Sequence, residues 1–342
     1  MKKIAGILGI TTLVLAVSFG LVLQGAPQAS AEEPYKIEIY TYKVGTFTYA
    51  AGVALAELIN KNSTWLKATA IEAAGAAVTT RIVAAEPPMR KKIMGFMVSY
   101  EPRVGYPPFK EPYLGIRDIA VIGFVANGLI TLDPKLKTAK DLEGKKVGLG
   151  SSPSVARVDM PKAAILKSGV KNVKFSEHGF VDGTRALSDG LIDALLAGGF
   201  LVDAVNIKFG PNPAMNELMS TKKVYFCSFD KAAYDAARAE LQSPEYYENY
   251  SYVIPPGGYK GQTEPYVVQG GPITWSCDAE MPEDVVYEIT KIMAENSEKF
   301  KDYHPLGRSI TPENMAKLTN ENKVHPGALK YYKEKGIPIG QF

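Results

Sequence analysis

Five times along the chain an extended run passes through a short turn into a helix-patterned stretch. In the first, "YKIEIYTY" (35–42) alternates with the period of a strand, and after a small polar turn Ala51, Leu55, Leu58 and Ile59 fall on one helical face. The pattern returns in "LKATAIEAAG" with "AVTTRIVAAE", "KKVGLGSSPS" with "PKAAILKSG", "VKFSEHGF" with "TRALSDGLIDALLAG", and "VDAVNIKFG" with "NPAMNELMS". This alternation predicts parallel sheets covered by helices on both faces. Open sheets of that kind take ligands at the carboxyl ends of their strands, where the turns into helices lie.

The N-terminus stands outside that pattern. "MKK", the apolar run from Ile4 to Leu23 and "QASA" have the layout of a secretory signal peptide, with cleavage expected after Ala31. The run is also long enough to span a bilayer as an anchor, but the small residues Ala29 and Ala31 favour removal. Without Lys2 and Lys3 the basic count falls from 39 to 37 against 36 acidic residues, a net charge of about +1 with no basic block. Nucleic acid and acidic membrane surfaces are therefore poor partners. The remaining 311 residues suffice for two domains, and no second segment is apolar for long enough to cross a membrane. Cys227 and Cys277, in the strand-like "VYFCSF" and "ITWSCD", are either one bridge or two buried thiols.

Catalytic signatures are missing. His178, His304 and His325 stand far apart with no metal-ligand spacing, and "GLGSSPS" (148–154) satisfies none of the hydrolase, dinucleotide or P-loop patterns. A binding protein without metal, cofactor or turnover is the expectation. Two irregular stretches, "YEPRVGYPPFKEPYLG" (100–115) and "SPEYYENYSYVIPPGGYKGQTEPY" (243–266), read as long ordered loops, which often carry function.

Binding chemistry concentrates at the helix starts: Thr46 and Thr48, Gly75 with Ala76, and Ser151, Ser152 and Ser154. Unpaired N–H groups and the helix dipole suit such turns to a carboxylate, although Ser and Thr in these places ordinarily cap their own helices. Arg157 lies one turn beyond Ser154 and has the fork that clamps a carboxylate, with Arg81 and Arg103 as weaker alternatives and a solvated surface role as the ordinary one. Pro161 leaves open whether the helix begins at Ser154 or near Val158. Tyr49, Tyr100, Tyr106, Phe180 and Phe200 offer flat pocket walls, or are half-buried aromatics of the core and loops.

Several segments together resemble one family. "GTFTYAAGVALAELINKN", "TAKDLEGKKVGLGS", "ALSDGLIDALLAGG", "PPGGYKGQTEPYVV", "PEDVVYEITKIMAEN" and "VHPGALKYYKEKG" are similar, in that order, to the TAXI-type solute-binding subunits of TRAP transporters. The resemblance implies a two-lobed α/β type II periplasmic binding protein. Each lobe is then a mostly parallel sheet flanked by helices, and crossing strands join them around one solute cleft. It implies a signal peptide over 1–31, lobe one over 32–136 plus 257–342, and lobe two over 137–256. The solute would be a small carboxylate, delivered to an ion-driven TRAP permease.

Carried over residue by residue, the first loop is cut down to Gly45, Thr46, Phe47, Thr48 and Tyr49, with Thr48 and Tyr49 in place of a tyrosine pair. The second keeps Gly75 and Ala76 but lacks a Ser or Asn. A Gly-Ser-Gly-Thr run becomes Ser152, Pro153, Ser154 and Val155, and a Gln-Ser-Asp becomes Val98, Ser99 and Tyr100. Departures that remove glycines and a threonine but keep aromatics imply an organic acid with an apolar or aromatic body. The same lobes also serve ABC importers and sensor kinases, which leaves a small amino acid or a thiamine-precursor-like compound as the alternative solute.

Overall fold

The computed structural model describes residues 33–204, 206–241, 249–318 and 320–340. The expected signal peptide lies outside the described residues. Eleven strands form one sheet: β1 (Tyr35–Tyr40), β2 (Leu66–Ile71), β3 (Ile93–Phe96), β4 (Ile116–Thr131), β5 (Lys146–Leu149), β6 (Lys174–Glu177), β7 (Ala194–Asp203), β8 (Lys208–Pro211), β9 (Tyr225–Cys227), β10 (Tyr250–Ile254) and β11 (Tyr266–Asp278). The helices are α1 (Phe47–Asn62), α2 (Ala76–Ala85), α3 (Tyr100–Arg103), α4 (Met160–Lys167), α5 (Phe180–Ser188), α6 (Pro213–Thr221), α7 (Lys231–Leu241), α8 (Glu283–Glu295), α9 (Pro312–Met315) and α10 (Pro326–Glu334). No helix among the described residues is long and apolar enough to cross a membrane.

The strand order is β2-β1-β3-β11-β4-β7-β5-β6, with β10 on β11, β8 on β7 and β9 on β4. The outer groups β2-β1-β3 and β7-β5-β6 are parallel, as the strand–helix alternation demands. The centre is antiparallel: β11 runs against β3 and β4, and β4 against β7. β4 is 16 residues long and buried almost throughout, so it carries no period-two signal.

Hydrophobic packing divides along β4. One cluster joins Ile37, Leu55 and Ile59 to Ile119, Val121, Trp275, Ile289 and Tyr332. A second joins Leu129, Val147, Ile165, Leu196 and Tyr234, and a third joins Phe124, Ile130, Leu195, Phe209 and Tyr266. Burying a leucine or isoleucine stabilises by roughly 1.5–3 kcal/mol, so the Ala51, Leu55, Leu58 and Ile59 stripe fastens α1 to its strands. Cys227 and Cys277 are free and buried, and burial raises both thiols above their ordinary values.

Three local readings need correction. The helical pattern expected across "TRALSDGLIDALLAG" stops at Ser188, Gly190 turns at φ +70°, and Ala194 onward is strand β7. A short apolar run has no period that separates a buried strand from a helix. The aromatic stretch 243–266 is not wholly loop, because Tyr250–Ile254 pair with β11 as β10. The stretch from 100 begins with the short helix α3. The open start of the fourth helix is settled by a π-helical turn, Val155–Asp159, that precedes α4 and leaves Pro161 in its first turn.

Near the C-terminus α10 crosses α8 at Gly327, where a Cβ would lie 2.2 Å from the Glu283 carbonyl oxygen and 2.8 Å from the Tyr287 nitrogen. Backbone cannot yield as a flexible side chain does, so Gly327→Ala is expected to cost about 2 kcal/mol. An unchanged thermal melt would show that the crossing is not tight.

Candidate functional site

The carboxyl ends of β1, β2 and β3 lead into three turns. Thr46 caps α1: its hydroxyl donates to the Lys43 carbonyl at 2.6 Å, accepts from the Tyr49 N–H at 3.4 Å, and stands 3.2 Å from the Thr48 hydroxyl. Thr48 is buried and Tyr49 half-buried. After β2, Gly75 precedes α2 at φ +147°, a conformation that side chains avoid, and Ala76 begins the helix. The Tyr42 ring lies 3.5 Å from where a Gly75 Cβ would stand. After β3, Ser99 is buried, and the buried Tyr100 hydroxyl donates to the Leu241 carbonyl at the end of α7.

From the other side, β5 leads into the turn 150–157. Ser151 is exposed. Ser152 grips Glu177, its N–H donating at 2.8 Å and its hydroxyl at 2.7 Å, and these bonds hold the exposed carboxyl below its usual range. Ser154 accepts from the Arg157 N–H at 3.2 Å and so caps the π-helical turn. The ordinary capping role thus describes the hydroxyls of Thr46 and Ser154 in this structure.

Arg157 is different. Its guanidinium carbon sits 4.0 Å from the centroid of the Phe180 ring. Its side chain folds back over Gly150, where a Cβ would come within 2.5 Å of Nε, so only glycine leaves that path open. Burial lowers its proton affinity, offset in part by Tyr42. Among the described residues Arg157 forms no ion pair, whereas Arg90 has Glu280 at 2.8 Å. A half-buried cation with an aromatic face beside it and no carboxylate partner among the described residues suits an anion from outside.

The two sets of turns meet at three points. Tyr42 lies within electrostatic reach of Arg157, Tyr106 hydrogen-bonds Asp159, and Tyr100 bonds Leu241. Burial and that bond raise the Tyr106 hydroxyl well above its ordinary value. No hydrogen bond among the described residues joins Thr46, Thr48 or Tyr49 to Ser151, Ser152 or Ser154. Phe200, in β7, pairs with Val125 and packs against the first cluster at the same junction.

Between these turns the central strands supply polar residues that sequence reasoning passed over. Asn127 in β4 pairs with Gln269 in β11 and Gly198 in β7. Directly opposed residues point to the same face. That face continues into the first cluster through Ile273 and into the second through Leu129, Leu196 and Val267. Gly198 leaves room for Asn127, whose Oδ1 would lie 2.1 Å from an added Cβ. A signal existed: Asn127 and Gln269 are the polar interruptions in "AVIGFVANGLI" and "YVVQGGPI".

The profile of the NMT1-like family matches residues 39–336. Among solved structures, the chain is similar to the periplasmic aliphatic sulphonate binding protein SsuA from Escherichia coli, at 13% identity, 90% and 94% coverage of the two chains, and a TM-score of 0.46. It is similar to the probable amino-acid ABC transporter extracellular-binding protein YtmK from Bacillus subtilis, at 11% identity, 82% and 99% coverage, and 0.48. It is also similar to a TctC solute binding protein from Polaromonas, at 15% identity, 84% and 90% coverage, and 0.46.

Proposed function

The chain belongs to the NMT1-like family, and on that footing we propose that it is an exported, periplasmic solute receptor that binds a small organic acid. The observation that carries this reading is Arg157, a half-buried guanidinium over the Phe180 ring with no ion pair among the described residues. The receptor has two lobes, 32–136 plus 257–342 and 137–256, which close over the solute. A ligand shifts that equilibrium only by binding the closed form better, so its contacts must come from both sides. Thr48, Tyr49, Gly75, Ala76, Ser99 and Tyr100 serve from lobe one. Ser151, Ser152, Ser154, Arg157 and Phe200 serve from lobe two, and Thr46 holds the first turn in shape.

The acid has an apolar or aromatic body, in keeping with the Phe180 ring beside the cation. It passes to a TRAP-type permease driven by an ion gradient, on the resemblance of "DLEGKKVGLG", "VVYEITKIMAEN" and "HPGALKYYKEKG" to the TAXI subunits. Mass spectrometry of small molecules released from the natively purified protein is expected to recover an organic acid. Thermal-shift screening should then rank such acids above glutamate and aspartate; stabilisation led by the acidic amino acids would sink the apolar-body reading. Uptake reconstituted with the partner permease should need an ion gradient and not ATP. An ATP requirement would assign the receptor to an ABC importer instead.

A further inference from the structure

Gln269 is 1% exposed, and neither its Nε2 nor its Oε1 has a hydrogen-bond partner among the described residues. A buried carboxamide left unpaired on both atoms is costly. Its position explains what the cost serves. Gln269 in β11 stands directly opposite Asn127 in β4, on the sheet face where the first and second clusters give way to each other. The turn that carries Arg157 leads into Val158 and Met160, which pack in the second cluster on that same face. The turn after β3 is tied to that half of the fold by the Tyr100 bond to Leu241 and the Tyr106 bond to Asp159.

We propose that Gln269, supported by Asn127, forms a second polar subsite of the cleft, and that it recognises an uncharged carboxamide group on the solute. The inference rests on the receptor reading above, in which Arg157 takes the carboxylate. A glutamine amide presents a donor and an acceptor side by side, and its complement is another amide edge carrying N–H beside C=O. A carboxylate there accepts from Nε2 but leaves Oε1 unpaired, so the site discriminates against it. A hydrocarbon end leaves both atoms unpaired. Along the order β11-β4-β7-β5, the strand that launches the Arg157 turn lies three spacings from β11, roughly 14 Å. Side chains reaching in from both ends leave space for an acid of about four to six carbons with the two groups at opposite ends.

The test is calorimetry on the mature protein with succinamate, glutaramate and adipamate. Each is compared with the dicarboxylate and the simple alkyl monocarboxylate of the same length. One amide acid is expected to bind about tenfold more tightly than both comparators, as expected where a buried polar pair is completed. Gln269→Leu should remove that preference, bringing the amide acid to the level of the alkyl acid of the same length. Gln269→Met, measured alongside, guards against strain from the branched side chain. Both variants should melt no lower than the parent without ligand, because each removes an unpaired buried amide.

Acids that bind with no amide preference, or a preference that survives in both variants, overturn the carboxamide subsite and leave the receptor reading standing. Failure of every acid to bind the parent protein overturns both.

Discussion

Replacing Arg157 with alanine is expected to weaken binding of the acid recovered from the purified protein by about tenfold to a hundredfold, because hydrogen bonds to a charged group contribute about 1.5–3 kcal/mol. The guanidinium has the Phe180 face beneath it and no ion pair among the described residues, so its interaction energy is uncommitted until an anion arrives. The unliganded protein should barely notice the change. The lost stacking, about 0.5–2 kcal/mol, is offset by relief of a desolvated charge, so the melting temperature should move by less than about 3 °C. Arg157→Lys keeps the charge but loses the planar fork, and should fall between parent and alanine variant. Calorimetry on the three proteins decides: equal affinities would remove Arg157 from the site, and a large fall in melting temperature would make it a structural residue.

A loss of about 3 kcal/mol of stability is expected as pH falls from 6.5 to 4, and His325 is the main source. Its imidazole is 1% exposed at the start of α10. Nδ1 accepts from the Gly327 N–H at 3.2 Å, and Nε2 lies 3.0 Å from the Met281 carbonyl, which only a proton on Nε2 can satisfy. The neutral ring is therefore fully used, and a second proton would face the Gly327 donor. Burial, reinforced by Arg117, lowers its pKa from 6.5 to about 4 despite the Met281 bond. Because the folded value lies below the unfolded one, the unfolded chain binds the extra proton first. Stability is thus intact above pH 6.5, declines through the window and levels off below about 4. Burial also lowers His304, which adds in the same direction.

The control is His325→Asn, which retains a cap acceptor for the helix start but does not titrate. At pH 7.5 the variant should melt below the parent, since it gives up the Met281 bond. Toward pH 4 the two curves should converge. Curves that stay parallel across the window would place the acid sensitivity elsewhere.

Most of the scaffold was legible because its signals are local. A strand that feeds a helix, an apolar stripe at helical spacing and a proline in a first turn are each decided within about ten residues. The candidate site was legible only at its margins. Thr46 and Ser154 were visible as hydroxyls before helices, yet a cap and a ligand contact leave the same mark in sequence. Ser152 acquired a partner 25 positions away, Glu177, that no spacing rule links to it. β7 was misread because a strand buried on both faces lacks alternation, and with it went the row that seats Gly198 beside Asn127.

By itself the sequence determined the alternation of strands and helices, the near-neutral charge that disfavours polyanionic partners, and the clustering of small and hydroxyl residues at strand ends. Those properties follow from composition and short-range periodicity, which folding does not alter. Only the tertiary structure decided that Arg157 lies over Phe180 within electrostatic reach of Tyr42, and that Asn127 and Gln269, 142 positions apart, share one face between two cores. Such neighbours are made by antiparallel register and by turns meeting across the sheet, long-range pairings whose energy comes from packing the whole chain at once.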